Sequence, residues 1–192
     1  MVGIIRQLIK ENETVLFLDP VRQTHNSENG YEWQIKGKKG TRQVRANSGR
    51  RRVNVIGALN ATTLRPVTLV TEANCDQETM IVFLGEIRKE YTDQSKTVHV
   101  FLDNARYNRA YRVQARAKEL DITLHYLPPY SPNLNLIERL WKFFKKKVIK
   151  NHYYVTFTEF SDAIINFFHD IAVHDEELKT LLTLNFEIIL ES

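Results

Sequence analysis

The sequence has one cysteine, no long apolar run and little net charge for its 192 residues. The single thiol, Cys75, excludes an internal disulfide bond and a zinc site built from several thiolates. No stretch reaches the roughly 18 consecutive apolar residues that a membrane-spanning helix needs. The basic-then-apolar pattern of a signal peptide is also missing from the first residues. These absences predict a soluble globular protein of the cytoplasm, with no membrane partner.

Linkers and repeats are missing as well. The last of the seven glycines is Gly85, and no segment rich in proline and glycine divides the chain. We therefore expect one domain over residues 1–192, with a core at about 14–150 and C-terminal helices at about 156–192. The 27 basic residues against 23 acidic ones give a net charge of +4, which permits a nucleic-acid partner without identifying one.

Short runs rich in β-branched residues dominate the chain up to Thr71 and are separated by polar or glycine-containing stretches. Such a pattern predicts three or four strands joined by turns. The candidate strands are Thr14–Leu18, Tyr31–Ile35, Arg52–Leu59 and Val67–Thr71.

Helical periodicity alternates with strands after residue 74. The predicted order is a helix capped by Asn74 or Asp76, strand Val98–Leu102, helix Ala105–Leu120, strand Ile122–Leu127, a helix from Asn135 to about Lys150, a helix capped by Thr156 and Glu159, and a short last helix capped by Asp175. A meander followed by alternating strands and helices predicts an α/β fold. Its mixed sheet would have antiparallel first strands and parallel later strands, flanked by helices.

Two aspartates directly follow predicted buried strands. Asp19 follows the run Val15–Leu18, and Asp103 follows Val98–Leu102. Functional sites in open α/β sheets lie at the carboxyl ends of strands, so these two carboxylates are expected side by side. Two neighbouring negative charges repel unless a cation lies between them, and Mg²⁺ commonly binds one or two carboxylates.

Each acid also has a purely structural interpretation. Asp19 before Pro20 is typical of a turn, and Asp103 is a suitable cap for the next helix. Glu138, three residues after Asn135, fits the capping box of the helix that follows. The residue pattern alone leaves the metal site and these structural roles open.

The amino-acid identities in two motifs indicate a particular family more specifically than the spacing of the acids does. The segments are 100–107, VFLDNARY, and 127–141, LPPYSPNLNLIERLW. Together they closely resemble the DDE transposases of the mariner-related bacterial insertion-sequence family. Thirty-four residues separate Asp103 from Glu138, as between the second and third acids of that superfamily, and Asp19 matches the first acid. The resemblance implies a ribonuclease H-like fold shared with retroviral integrases.

The same resemblance implies a site and a reaction. Asp19, Asp103 and Glu138 would hold two Mg²⁺ or Mn²⁺ ions, with Asn104 and Asn135 supporting them. The chain would cut DNA phosphodiester bonds at transposon ends and join the freed 3′-hydroxyl to target DNA. Three positions depart from the family pattern: Pro20 replaces a frequent acid, Asn108 a frequent histidine and Leu136 a frequent proline.

Basic residues cluster around the proposed acids, and they are expected either to contact DNA phosphates or to form ordinary solvated faces. The candidates for DNA contact are Arg50, Arg51, Arg52, Arg106, Arg109, Arg112, Lys142, Lys145 and Lys146. Double-stranded DNA is the expected partner. We also expect a homodimer. Family members carry a helix-turn-helix module ahead of the first strand, where this sequence has only residues 1–12. The chain is therefore expected to be a catalytic half with a separately encoded helix-turn-helix subunit, the product of a split reading frame, or an engineered or decayed fragment. Another ribonuclease H-like nuclease and an inactive DNA-binding or dimerisation remnant are the alternative functions.

The tryptophans and the apolar residues near the C-terminus carry further expectations. Trp33 and Trp141 fit core positions, although a tryptophan beside the acids could also stack on a base. The helix containing Phe160, Ile164, Phe167 and Phe168 is expected to dock on the sheet. Ordinary core is the first interpretation of the apolar residues at 157–168 and 181–190, and the alternative is that part of them packs against a partner chain or an N-terminal module.

Overall fold

A mixed five-stranded sheet forms the centre of the computed structural model, which describes residues 1–26, 48–93, 95–128 and 135–182. The strands are β1 (Thr14–Asn26), β2 (Ser48–Asn60), β3 (Pro66–Thr71), β4 (Val98–Leu102) and β5 (Ile122–Tyr126). Their order across the sheet is β3-β2-β1-β4-β5. The first three strands are antiparallel and β1, β4 and β5 are parallel, which confirms the predicted sheet.

Helices flank this sheet. They are α1 (Val2–Lys10), α2 (Gln77–Glu90), α3 (Tyr111–Glu119), α4 (Ile137–Phe144), α5 (Phe157–His169) and α6 (Asp175–Leu181). Two predicted caps are confirmed: the Asp76 carboxylate accepts the Thr79 N–H at 3.0 Å, and Thr156 with Glu159 forms a capping box. Both satisfy N–H groups that the first turn of a helix leaves unpaired.

The sheet separates two apolar clusters, because side chains alternate between its faces. One face carries Val15 and Phe17 and packs with residues of α1, α4, α5 and α6. The other carries Leu16 and Leu18 and packs with residues of α2 and α3. Strand β1 is thus buried on both sides, as the continuous apolar run Val15–Leu18 indicates.

Strand β1 corrects the sequence interpretation at its end. It continues through Asp19 and Pro20 to Asn26, paired with β2, so Asp19 neither ends the strand nor begins a turn. The pairing of β1 with β4 ends at Phe17, so Pro20 lies where one edge of β1 is unpaired. Strands accept proline along such an unpaired edge.

Smaller corrections concern the helices. Helix α1 was not predicted. The helix expected over Ala105–Leu120 is interrupted at Ala110, whose ψ of 138° separates a 3₁₀ turn, Arg106–Arg109, from α3. Asp175 is the first helical residue of α6 rather than its cap, since the N-cap is His174. Helix α4 continues as a π-helical turn, Lys145–Ile149, in agreement with the predicted end near Lys150.

The docking of α5 on the sheet is confirmed, since Phe160, Ile164, Phe167 and Phe168 are buried. Trp141 is buried as well, as predicted. Trp33, the predicted strand Tyr31–Ile35 and residues 183–190 lie outside the described residues. Within the part of the chain that the structure describes, no helix is both long enough and apolar enough to cross a membrane.

Candidate active site

Two acids meet where strands β1 and β4 part. The parallel pairing of these strands ends at Phe17 and Phe101, and β4 itself ends at Leu102. Continuing the register by two residues places Asp19 beside Asp103, at the carboxyl end of β4. Beyond this point β1 is paired with β2 alone, which opens the sheet edge at which a site in an α/β fold is expected.

Asp19 is largely buried, and its carboxylate is held by a tryptophan. The indole Nε1 of Trp141 in α4 donates a hydrogen bond to Asp19 Oδ2 at 3.0 Å. Burial is the main cause that raises the pKa of Asp19 to about 7; the indole hydrogen bond opposes this rise, and the negative charges of Asp103 and Glu138 add to it. The three predicted acids therefore share one electrostatic environment.

Asp103 is held by the turn that follows β4. Its Oδ1 accepts the backbone N–H of Ala105 at 3.0 Å and the side-chain amide of Asn108 at 2.7 Å. Asn108 is completely buried, and its backbone oxygen accepts the Tyr126 hydroxyl at 2.9 Å. The asparagine that departs from the family pattern thus anchors the second acid. Asp103 does stabilise a local turn, but it does not cap α3.

Glu138 lies in the first turn of α4, and its predicted capping role is wrong. The N-cap is Leu136, and no side chain caps the helix, so Asn135 and Glu138 do not form a capping box. Burial raises the pKa of Glu138, with Lys142 acting in the opposite direction. No described residue donates a hydrogen bond to its carboxylate. Asn135 is buried, and its side-chain oxygen finds no donor among the described residues.

These acids have the donor chemistry of a site for a hard divalent cation. Asp19 Oδ1, Asp103 Oδ2 and the Glu138 carboxylate receive no hydrogen bond from a described residue, and all are anionic oxygens of the kind that Mg²⁺ prefers. Among residues 1–26, 48–93, 95–128 and 135–182, no three His, Cys, Asp or Glu side chains are grouped closely enough to hold one ion as they stand. The convergence of all three acids within a few ångströms stays a prediction, while the residues present fit the ion.

Asn104 holds the neighbouring loop rather than a carboxylate. Its amide nitrogen donates to the backbone oxygen of Leu127, and its Oδ1 accepts hydrogen bonds from Arg109. Arg109 also lies over the ring of Tyr126, 4.8 Å from the centroid. These contacts tie the end of β4 to the end of β5.

Three further candidate DNA-contacting arginines have partners within the protein. Arg51 pairs with Glu72 at 2.9 Å and lies over the Phe157 ring. Arg52 donates to Asn74, and Arg112 pairs with Glu78. Five other candidates make no hydrogen bond or ion pair with a described residue: Arg50, Arg106, Lys142 and Lys146, all exposed, and the half-buried Lys145.

Gly57 and the tryptophan contact with Asp19 were missed from the sequence. Gly57 in β2 lies directly opposite Asp19 in the antiparallel register, and a Cβ atom there would lie 2.5 Å from Cη2 of Trp141. A glycine inside a strand pattern often marks such a close approach. Trp141, one helical turn after Glu138, has the spacing for a shared helix face.

A mixed sheet in this order, with helices on both faces, defines a ribonuclease H-like α/β fold. The sequence model of the family described as DDE superfamily endonuclease matches residues 14–161, and the chain belongs to that family.

Two curated relatives are similar to parts of this chain. The chain is 34% identical over 91 residues to an uncharacterized protein of Sinorhizobium fredii, covering 47% of this chain and 62% of that protein. It is 27% identical over 139 residues to an uncharacterized 39 kDa protein of the insertion element IS630 from Shigella sonnei, covering 72% of this chain and 39% of that protein. The chain thus matches less than two thirds of either relative's length.

Solved transposase structures share the fold. The Mos1 transposase paired-end complex with the left transposon end superposes with a TM-score of 0.64 at 12% identity, covering 93% of this chain and 58% of that one. The catalytic domain of Mos1 mariner transposase gives a TM-score of 0.55 at 10% identity, covering 93% and 87% of the two chains.

Proposed function

We propose that the chain acts as a transposase catalytic domain that cuts DNA phosphodiester bonds at transposon ends and transfers the 3′-hydroxyl strand into target DNA. Membership of the DDE endonuclease family supports a nuclease-type enzyme. Support for strand transfer comes from a similar fold in a Mos1 strand transfer complex, with a TM-score of 0.65 at 12% identity.

The observation that carries the proposal is the burial of an unneutralised carboxylate beside a second one. Asp19 accepts one hydrogen bond from an uncharged indole, and burial, together with the neighbouring negative charges, raises its pKa. A carboxylate in this position destabilises the fold unless a cation compensates it. Such an arrangement is typical of a catalytic site rather than of a structural ion pair.

In this proposal Asp19, Asp103 and Glu138 hold two Mg²⁺ or Mn²⁺ ions, and Mos1 paired-end complexes with Mg and with Mn have the same fold. Two such ions would activate the attacking hydroxyl and stabilise the leaving oxygen. Donors within the chain hold the aspartates in place: the Asn108 amide and the Ala105 backbone N–H bind Asp103, and the Trp141 indole binds Asp19. Glu138, in the first turn of α4, brings the third carboxylate from the helical layer.

DNA would lie across the exposed basic residues nearest these acids. Arg106 follows Asp103 by three residues, and Lys142 and Lys146 follow Glu138 on α4 and its π-helical extension. Lysine and arginine side chains without internal partners can neutralise phosphates without breaking an existing ion pair. Joining two transposon ends requires two active sites, so we propose a homodimer on DNA. We further propose that a helix-turn-helix subunit supplies sequence recognition.

A nicking and joining assay on labelled duplex DNA, with Mg²⁺ or Mn²⁺, tests this function. Asp103→Asn should abolish cleavage, because the neutral amide cannot neutralise a cation. The matched control is Asp121→Asn, which makes the same change at an exposed turn residue whose φ of 51° asparagine tolerates.

Equal activity of the wild type and Asp103→Asn would contradict the proposal. Cleavage of an RNA–DNA hybrid without joining would instead indicate a ribonuclease. Tight DNA binding that is indifferent to Mg²⁺ and accompanied by no cleavage would indicate an inactive remnant.

A further inference from the structure

Each of the two aspartates has one oxygen occupied by a protein donor and one without such a donor. On Asp19, Oδ2 accepts the Trp141 indole N–H at 3.0 Å. On Asp103, Oδ1 accepts the Asn108 amide at 2.7 Å and the Ala105 backbone N–H at 3.0 Å. The other oxygen of each carboxylate receives no hydrogen bond within the described ranges.

The donor to Asp19 is held firmly in place. Trp141 is 5% exposed, and its ring lies above Gly57, so the side chain has little room to turn. The rings of Phe144 and Phe168 meet it edge-on, with centroids at 6.5 and 6.0 Å. Releasing Asp19 Oδ2 would require repacking of α4 and α5 on the sheet, and packed interiors resist such shifts.

The donor to Asp103 is equally fixed. Asn108 has no exposed surface, and the Tyr126 hydroxyl from β5 bonds its backbone oxygen at 2.9 Å. Its side-chain amide can reach Asp103 without any change of the turn that carries both residues. Both aspartates therefore present a single free oxygen from a rigid setting.

Divalent ions differ in how many oxygens they require. Ca²⁺ takes six to eight oxygen ligands and often uses both oxygens of a carboxylate, whereas Mg²⁺ takes six, commonly from one or two carboxylates and several waters. A carboxylate with one oxygen already hydrogen-bonded to a fixed N–H is held in an orientation and with a charge distribution that favour binding an ion through the other oxygen alone. That restriction penalises Ca²⁺ more than Mg²⁺.

We propose that Trp141 and Asn108 are positioning residues that restrict Asp19 and Asp103 to one ligand oxygen each and thereby make the site prefer Mg²⁺ and Mn²⁺ over Ca²⁺. The proposal rests on the metal site of the proposed function. It assigns to the two donors a role in ion selection that is separate from their contribution to folding. A merely structural donor would change the affinity for both ions alike.

The test measures Mg²⁺ and Ca²⁺ dissociation constants by calorimetry on the full chain, without reference to activity. In Trp141→Phe the Ca²⁺ affinity relative to Mg²⁺ should rise by roughly tenfold, which corresponds to about 1.4 kcal/mol of added ligation. Asn108→Ala should shift the ratio in the same direction by less, because the Ala105 N–H still binds Asp103 Oδ1. The control is Phe144→Leu, which disturbs the packing around Trp141 without removing a donor, and its ratio should stay at the wild-type value.

A shape-preserving substitution keeps the test decisive if Trp141→Phe does not fold. Benzothienylalanine at position 141 replaces the indole N–H by sulfur and retains the ring outline, so it removes the donor alone. An unchanged ratio in this variant overturns the proposal.

Other outcomes of the same experiment would contradict the proposed function rather than the selectivity role. If the wild type binds neither ion, or if Asp103→Asn binds both as well as the wild type does, the metal site itself is refuted. If Asp103→Asn loses both ions while the Trp141 variants keep the wild-type ratio, only the selectivity role is refuted.

Discussion

Gly57 controls how closely α4 approaches the sheet, and its replacement by alanine tests that packing directly. The added Cβ atom would lie 2.5 Å from Cη2 and 3.0 Å from Cζ2 of Trp141, and 3.0 Å from Cδ1 of Ile137. Carbon atoms in proteins normally stay at about 3.5–4.0 Å. Because the indole is already enclosed by aromatic rings, α4 must move away from β2.

The expected destabilisation is the difference between two effects. Overpacking a core by a methyl group costs about 1–3 kcal/mol. Alanine also removes backbone freedom from the unfolded chain, which returns about 0.5–1 kcal/mol. Taken at the middle of both ranges, the net loss in the free energy of unfolding should be about 1 kcal/mol, or roughly 2–4 °C in Tm for a chain of this size.

Thermal unfolding in metal-free buffer measures the loss, and tryptophan fluorescence reports its location. In a Trp33→Phe background Trp141 is the only remaining tryptophan, so a shift in its emission shows that its surroundings have changed. The matched control is Gly85→Ala in α2, where the nearest atom to an added Cβ is a side-chain nitrogen of Arg116 at 3.9 Å. Alanine is favoured over glycine inside a helix by about 0.5–1 kcal/mol, so this control should be more stable than the wild type.

The result that would refute the reasoning is a Gly57→Ala variant with wild-type Tm and unchanged Trp141 emission, while Gly85→Ala gains stability. The packing of α4 on β2 would then be loose enough to absorb a methyl group. The indole could not, in that case, be the fixed donor to Asp19 described above.

Two further predictions concern charge. Because the pKa of Asp19 is raised from 3.8 to about 7 in the folded chain, the folded state binds more protons between these pH values and its free energy of unfolding falls as pH rises through them. In metal-free buffer Asp19→Asn should therefore match the wild type near pH 4 and exceed its Tm at pH 8, and identical pH profiles would contradict this. Arg106→Ala should weaken duplex binding and lower the salt slope by about 1, whereas Arg112→Ala, which loses a side chain paired with Glu78, should do so less; equal effects in anisotropy titrations would count against the proposed surface.

Local signals in the sequence accounted for most of the fold. The spacing of Met80, Phe83, Leu84 and Ile87 predicts the buried face of α2, and all four are buried. The Asp76 cap and the Thr156 capping box depend on residues within one helical turn, so a single sequence reveals them. The runs at β4 and β5 are bounded by clear changes of polarity, and their predicted ends agree with the structure to within one residue.

Features set by tertiary contacts were not predictable in this way. Strand β1 extends beyond its apolar run because β2 pairs with it through Arg22 and Gln23, and neither residue carries a local strand signal. Helix α1 has no side-chain cap to mark its start, although the spacing of Ile5, Leu8 and Ile9 is helical and all three pack against the sheet. The length of such a strand or helix depends on the segment that packs or pairs with it as well as on its own residues.

The candidate active site shows the same division between local and distant information. Asp103 and Asn108 lie five residues apart, so a short motif contains both the acid and its donor. Asp19 and Trp141 are 122 residues apart, and their contact additionally needs Gly57 on a third element. No pattern within one segment can indicate a bond that three segments create, which is why Trp141 was interpreted as a core residue.

The proposed metal site gives a reason for aspartate at position 19 that folding alone does not give. A carboxylate buried within a strand, with an indole as its described donor and two acids raising its pKa, lowers the stability of the metal-free chain at neutral pH. Asparagine has nearly the same shape and would avoid that loss, so the fold alone gives no reason for aspartate. A cation that binds only the folded state returns stability in proportion to the logarithm of its concentration. Added Mg²⁺ should therefore raise the Tm of the wild type at pH 8 and leave that of Asp19→Asn nearly unchanged, and an equal rise in both proteins would show that the ion acts elsewhere.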